Sequence, residues 1–149
     1  MNASESPQTT DSQSGISPAS PLEGLQVLLA EDCPDQGRLY LKFLQTAGAT
    51  VTLECTGQSA VDTIGKSIRR STKPFDAVVM DFQMPELDGL DATLQLRELG
   101  YEENIVAVTA YDTEELRESW FQAGCNEFLN KPLNKAELIS AILRHAKVE

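Results

Sequence analysis

Four places in the chain put a polar side chain where an apolar run stops. Glu31 and Asp32 follow LQVLLA, Asp81 follows AVVM, Thr109 follows NIVAV, and Lys131 follows the short segment Asn126 to Asn130. If each run is a strand of one parallel sheet, these residues meet at one edge, where open α/β sheets bind their ligands. Carboxylates gathered there repel one another, and such a group persists only if a cation neutralises it or a pKa rises. Lys131 supplies one positive charge against three negative ones. A hard divalent ion would fill the deficit, and Mg²⁺ suits it, with Mn²⁺ as the substitute, because both accept carboxylate, water and phosphate oxygens. Neither Cys nor His stands among these positions, which argues against zinc. A Thr hydroxyl and a Lys ammonium can donate to phosphoryl oxygens, so the set suits phosphoryl transfer. Ser, His and Cys are missing from the edge, and the nucleophile falls to Asp81, whose carboxylate can attack phosphorus to give an aspartyl-phosphate.

The elements that carry these residues follow from pattern. Leu25 to Ala30, Thr50 to Glu54, Ala77 to Met80, Asn104 to Val108 and Asn126 to Asn130 read as strands. Between them lie helical periodicities: Asp35 to Ala47, stopped by Gly48; a second helix through Ala60, Val61, Ile64 and Ile68, closed by Arg69, Arg70 and Pro74; and Leu90 to Leu99, with Gly100 as its cap. Thr113 caps a fourth helix ending near Ala123, and Asn134 to about Ala146 forms the last. The stretch FDAVVMDFQMPELDGL, Phe75 to Leu90, leaves Asp81 in a strand-to-helix loop, since Met84-Pro85 and Leu87-Asp88-Gly89 prevent the strand from continuing. Strict alternation of five strand-helix pairs predicts an α/β fold, a doubly wound five-stranded parallel sheet with helices on both faces.

Composition narrows the function. A net charge of -11 argues against direct nucleic-acid or anionic-membrane binding. No apolar segment approaches the roughly 20 residues of a membrane span, and the N-terminus has neither a basic start nor an apolar signal core. Three separated cysteines suit reduced thiols, so a cytoplasmic protein is expected. Residues 1–21, rich in Ser, Thr, Gln and Pro, read as a disordered tail or linker, with one domain over 22–149.

Glu31-Asp32, then Asp81 in MDFQMPELDG, then Thr109 in VTA, then Lys131-Pro132, in that order, resemble the receiver domain of two-component response regulators. The match spans about Leu25 to Ala146. The resemblance implies the flavodoxin-like (βα)5 fold and a role for each residue. Asp81 is the phosphoacceptor, taking its phosphoryl group from a phosphohistidine on a histidine kinase or histidine phosphotransfer protein. Asp32 is the direct metal ligand with Glu31 as its partner, and the backbone carbonyl of Gln83 completes the metal set. Thr109 and Lys131 hold phosphoryl oxygens, and Lys131-Pro132 is joined by a cis bond. Phe128 stands at the switch aromatic, where Tyr is common, and loses that residue's hydroxyl handle. Gln83 and Tyr111 match positions that tune phosphate lifetime. The resemblance also places the output on the face formed by the fourth helix, fifth strand and last helix. The opening GLQVLLAEDCPDQ resembles receivers attached to hybrid histidine kinases, with the downstream protein or attached domain left open.

Blander roles compete at each position. Taken alone, Thr109 is a strand-end residue, Lys131 a solvated cation, Asp32 a helix N-cap, Phe128 core, and Met84 and Pro85 loop formers; only the constellation raises them. His145 suits a surface place near a helix end, and Trp120 and Phe121, being adjacent, cannot face the same way. The rival function is an aspartyl-phosphate phosphatase or phosphotransferase of haloacid-dehalogenase type. Such enzymes place a second Asp two residues beyond the nucleophile, and Gln83 stands there. A constitutive interaction module ranks third because every expected site residue is present. The expectation is therefore a phosphorylated switch, not an enzyme with a separate substrate, though one able to catalyse its own phosphorylation and slow dephosphorylation.

Overall fold

The computed structural model describes residues 20–71 and 74–145. The tail expected over 1–21 lies outside them except for Ser20 and Pro21, as does Ala146 at the expected end of the last helix. Five strands, β1 (Gln26–Ala30), β2 (Thr50–Glu54), β3 (Ala77–Asp81), β4 (Asn104–Thr109) and β5 (Glu127–Asn130), form one parallel sheet in the order β2-β1-β3-β4-β5. They alternate with α1 (Pro34–Thr46), α2 (Gly57–Arg70), α3 (Gly89–Glu98), α4 (Glu114–Ala123) and α5 (Lys135–Arg144). The chain reverses its direction of travel across the sheet between β1 and β3, and a crevice opens at that point.

Side chains alternate along each strand, so the sheet feeds two cores. Leu28, Val78, Met80, Ile105 and Ala107 pack with Ala60 and Ile64 of α2, Ala92 and Leu96 of α3, and Trp120 of α4. Val27, Leu29, Val79, Val106 and Val108 pack with Tyr40 and Leu44 of α1 and Leu138 and Ile142 of α5. β1, β3 and β4 are almost wholly buried, as their continuous apolar runs require of strands covered on both faces. β2 lies at an edge and is largely half-exposed.

Among the departures from the sequence expectation, two concern the carboxylates of the edge. β3 runs one residue further, so Asp81 is the last strand residue rather than the first of the loop. Its carboxylate is thereby held by the ladder. Asp32 does not cap α1: the N-cap is Cys33, without a side-chain cap bond, and Pro34 takes the first helical position, where its missing N–H is one that would have no intrahelical partner anyway. α2 begins at Gly57, where Thr56 and Ser59 form a reciprocal capping box.

The loop from β3 to α3 is pressed down by two glycines. A Cβ on Gly89 would stand 1.9 Å from the Asp81 carbonyl oxygen, and one on Gly57 2.1 Å from that of Leu87. Backbone meets backbone at both places, which only glycine permits. The Gly89 N–H donates to the Phe82 carbonyl at 2.8 Å, closing the loop just beyond Asp81.

Candidate functional site

Glu31, Asp81 and Lys131 share strand parity with the α1 and α5 face, and Thr109 has the opposite parity. The structure brings all four to the mouth of the crevice. They line a cleft of about 250 Å³ together with Asp32, Cys33, Gln36, Gln83 and Tyr111. Glu31 and Asp81 are buried, whereas Asp32 and Gln83 are exposed. One carboxylate oxygen from each of Glu31, Asp32 and Asp81 lies within 4.8 Å of the others, a grouping able to hold a metal ion.

Lys131 is the cation of the cluster. Its ammonium stands 2.9 Å from Asp81 Oδ1 and 3.1 Å from Glu31 Oε1, and it donates to Gln36 Oε1 at 2.6 Å. Its side chain is only 13% exposed. Burial works to lower the Lys131 pKa, but the hydrogen bond and charge of Asp81, joined by Glu31, reverse this and leave it raised. Glu31 is pushed up to about 7, first by burial and then by the Asp81 charge, against the pull of Lys131. Asp81 is also raised by burial, despite its bonds to Lys131. One ammonium does not balance the cluster, and its donors are all oxygens. Both facts fit a hard divalent cation.

β4 ends in Thr109, whose hydroxyl oxygen accepts the Tyr111 N–H at 3.0 Å. The Lys131 N–H donates to the Thr109 carbonyl at 2.9 Å, so β4 and β5 deliver their terminal residues side by side. The Lys131–Pro132 peptide is cis. Phe128 is buried, with the Arg117 guanidinium 4.6 Å above its ring. Tyr111 is exposed, and its ring meets that of Phe82 edge-on at 6.4 Å. Phe82 makes a second edge contact, at 6.1 Å, with the fully buried Trp120, whereas the neighbouring Phe121 is 45% exposed. Met84 is buried in the core rather than a simple loop former. His145 lies at the surface, 2.6 Å from Glu127 and away from the cleft.

Gln36 and Cys33 line the cleft without having been expected there. Both lie in the GLQVLLAEDCPDQ opening, but that stretch assigns neither a role, and a glutamine in the first turn of a helix reads as an ordinary solvated residue. The one available signal was position. The first turn of the helix that follows Glu31-Asp32 must lie over the same sheet edge.

A family model described as the response regulator receiver domain matches residues 27–143. The two-component response regulator ARR22 of Arabidopsis thaliana is 36% identical over 119 residues, covering 79% of this chain and 81% of that protein. Histidine kinase 1 of the same plant is 34% identical over 157 residues, covering 85% of this chain, which spans only 13% of the kinase. Among solved structures, the receiver domain of the sensor histidine kinase PA1611 from Pseudomonas aeruginosa PAO1 aligns with a TM-score of 0.72 and 35% identity, over 82% of this chain and 97% of that one. That neighbour holds a magnesium ion in its active-site cleft.

Proposed function

The chain belongs to the response regulator receiver family, the phosphoacceptor module of two-component signalling, and from that premise we propose that Asp81 is its phosphoacceptor. The observation that carries this reading is the Asp81 carboxylate itself, buried at the end of β3, 2.9 Å from the Lys131 ammonium and grouped with Glu31 and Asp32. The donor is a phosphohistidine on a histidine kinase or a histidine phosphotransfer protein. A carboxylate oxygen of Asp81 attacks the phosphorus, the P–N bond breaks, and its electron pair stays with the departing imidazole. An acyl phosphate results.

Asp32, Asp81 and the Gln83 carbonyl would hold Mg²⁺, with Glu31 behind them. When bound, that ion supplies positive charge toward the phosphoryl oxygens. The chain's own groups do the rest. Lys131 donates to one phosphoryl oxygen and the Thr109 hydroxyl to another, both from strand ends that need not move to do so. Turning the Thr109 hydroxyl toward that oxygen alters the space beside Phe128, and the pair acts as the switch that changes the surface of α4, β5 and α5. Tyr111 and Gln83, at the rim, govern how water reaches the acyl phosphate and so tune its lifetime.

Receiver domains of this family are generally not classical enzymes, and the self-phosphorylation and slow self-dephosphorylation of this chain belong to the proposal. So do a cytoplasmic location, a linker over residues 1–21, a receiver over 22–149, and an output passed to a partner or an attached domain. Among the described residues no helix is long and apolar enough to cross a membrane. The haloacid-dehalogenase alternative is not favoured, since the chain matches receivers and carries Gln83 where such an enzyme needs its acid.

The test is intact mass after incubation with acetyl phosphate and Mg²⁺. Wild type is expected to gain a single phosphoryl group and Asp81→Asn none. An unchanged adduct in the variant, or none in the wild type under any divalent metal, would sink the assignment.

A further inference from the structure

We infer that Gln36 is a positioning residue for phosphoryl transfer: its side-chain carbonyl keeps the Lys131 ammonium in place while that ammonium exchanges the Asp81 carboxylate for a phosphoryl oxygen. The inference rests on Asp81 being the phosphoacceptor and deepens that reading.

An ammonium has three donors and no acceptor. Lys131 has three oxygens within reach, on Gln36 at 2.6 Å, Asp81 at 2.9 Å and Glu31 at 3.1 Å. Its donors are therefore committed, and it can bind a phosphoryl oxygen only by releasing one partner. Charge decides which. Once Asp81 carries the phosphoryl group its carboxylate has become a neutral acyl oxygen, while the negative charge has moved to the phosphoryl oxygens, and the ammonium follows the charge. Glu31 stays with the acidic cluster. Gln36 is the partner whose charge is zero before and after, so its hold is the same at both ends of the reaction. It also makes the shortest of the three contacts.

The fold supports this assignment. Glu31, Asp81 and Lys131 point to the face that α1 covers, and Gln36 lies in the first turn of α1, which begins at Pro34. Gly37, beside it, is buried, and a Cβ there would stand 3.7 Å from Glu31 Cγ and from two Leu53 carbons. One helical turn therefore backs Glu31 and tethers Lys131. With the tether gone, a four-carbon side chain must find the phosphoryl oxygen from several rotamers, and lost orientation of this kind costs rate even when the group remains present.

Three proteins test it: wild type, Gln36→Met, which keeps the length of the side chain and removes the acceptor, and Gln36→Glu, which keeps an acceptor. With acetyl phosphate and Mg²⁺, the P–O bond to acetate breaks as the Asp81 oxygen attacks, and acetate leaves with the bonding pair. Adduct formation is expected to slow about tenfold or more in Gln36→Met, with Gln36→Glu closer to wild type. A second readout needs no metal: the ¹⁵Nζ–¹H signal of the Lys131 ammonium should be visible and protected from exchange in wild type and Gln36→Glu, and should exchange measurably faster in a folded Gln36→Met, where only Asp81 and Glu31 still hold it. A wild-type rate and an equally protected ammonium signal in Gln36→Met would overturn the tether, as would a Gln36→Glu as slow as the methionine variant. If wild type forms no adduct, the phosphoacceptor reading fails and takes this inference with it. If wild type reacts and Gln36→Met keeps pace, only the inference fails.

Discussion

Lys131 changes meaning when its neighbours are known. A lysine after a short strand is ordinarily a solvated cation, but here the side chain is nearly buried between Asp81, Glu31 and Gln36. Removing one member of a buried charge group leaves the others without compensation, a loss that commonly reaches several kcal/mol. Lys131→Met is expected to lose up to about 3 kcal/mol of stability at neutral pH, read from urea unfolding; an unchanged midpoint would mean that the ammonium contributes nothing to holding the two carboxylates together. Glu31, Asp81 and Thr109 could be placed from the sequence because each is the polar residue that closes a buried run, and a strand buried on both faces announces where it stops. Gln36 was not readable, since its importance comes from a contact 95 positions away in the chain. Asp32 drew a capping reading that the structure withdraws, because the helix starts at Pro34 and its N-cap position falls to Cys33.

Among the elements, β5 and α5 show how two parts of the proposed output face are joined. Glu127 of β5 receives the Arg144 guanidinium at 2.8 and 3.1 Å and lies 2.6 Å from His145 Nε2, both residues at the end of α5. The hydrogen bond from Arg144 comes first among the effects that hold the Glu127 carboxyl below its usual range, and His145 adds to it. The sign follows directly. A carboxyl with a depressed folded-state pKa adds stability above its unfolded value of 4.5 and loses it as pH falls through the folded value. Glu127→Gln is therefore expected to be less stable than wild type at neutral pH, by about 1 kcal/mol or less, with the gap closing on acidification below 4.5. A gap independent of pH in thermal unfolding would assign the loss to packing instead. At this scale the sequence named all five strands and all five helices, with ends shifted by a residue or so. The sequence pattern sets no start for α2: its capping box pairs Thr56 with Ser59 rather than with the Glu or Gln that usually marks one, so the signal is weak in sequence and plain in the structure.

For the molecule as a whole, the strand order β2-β1-β3-β4-β5 places Glu31 and Asp81 on adjacent strands, and alternation of strand and helix predicts only that some such neighbouring occurs. Strand order is set by long-range packing of two apolar faces, which local periodicity does not encode. The arrangement has a cost. Glu31 is raised to about 7, by burial and by Asp81, because two buried carboxyls share one ammonium. A ligand that binds only the folded state adds stability by mass action, about 2.7 kcal/mol when present at 100 times its dissociation constant. Magnesium is thus expected to raise the unfolding midpoint of wild type. Asp81→Asn tests the source of that gain, since it removes the charge that Glu31 opposes together with a proposed metal ligand. Without metal the variant should be the more stable protein, and with saturating magnesium the difference should shrink or reverse. If the variant gained as much from magnesium as wild type does, Asp81 would not belong to the metal site, and the crevice between β1 and β3 would owe its acidity to something other than a cation.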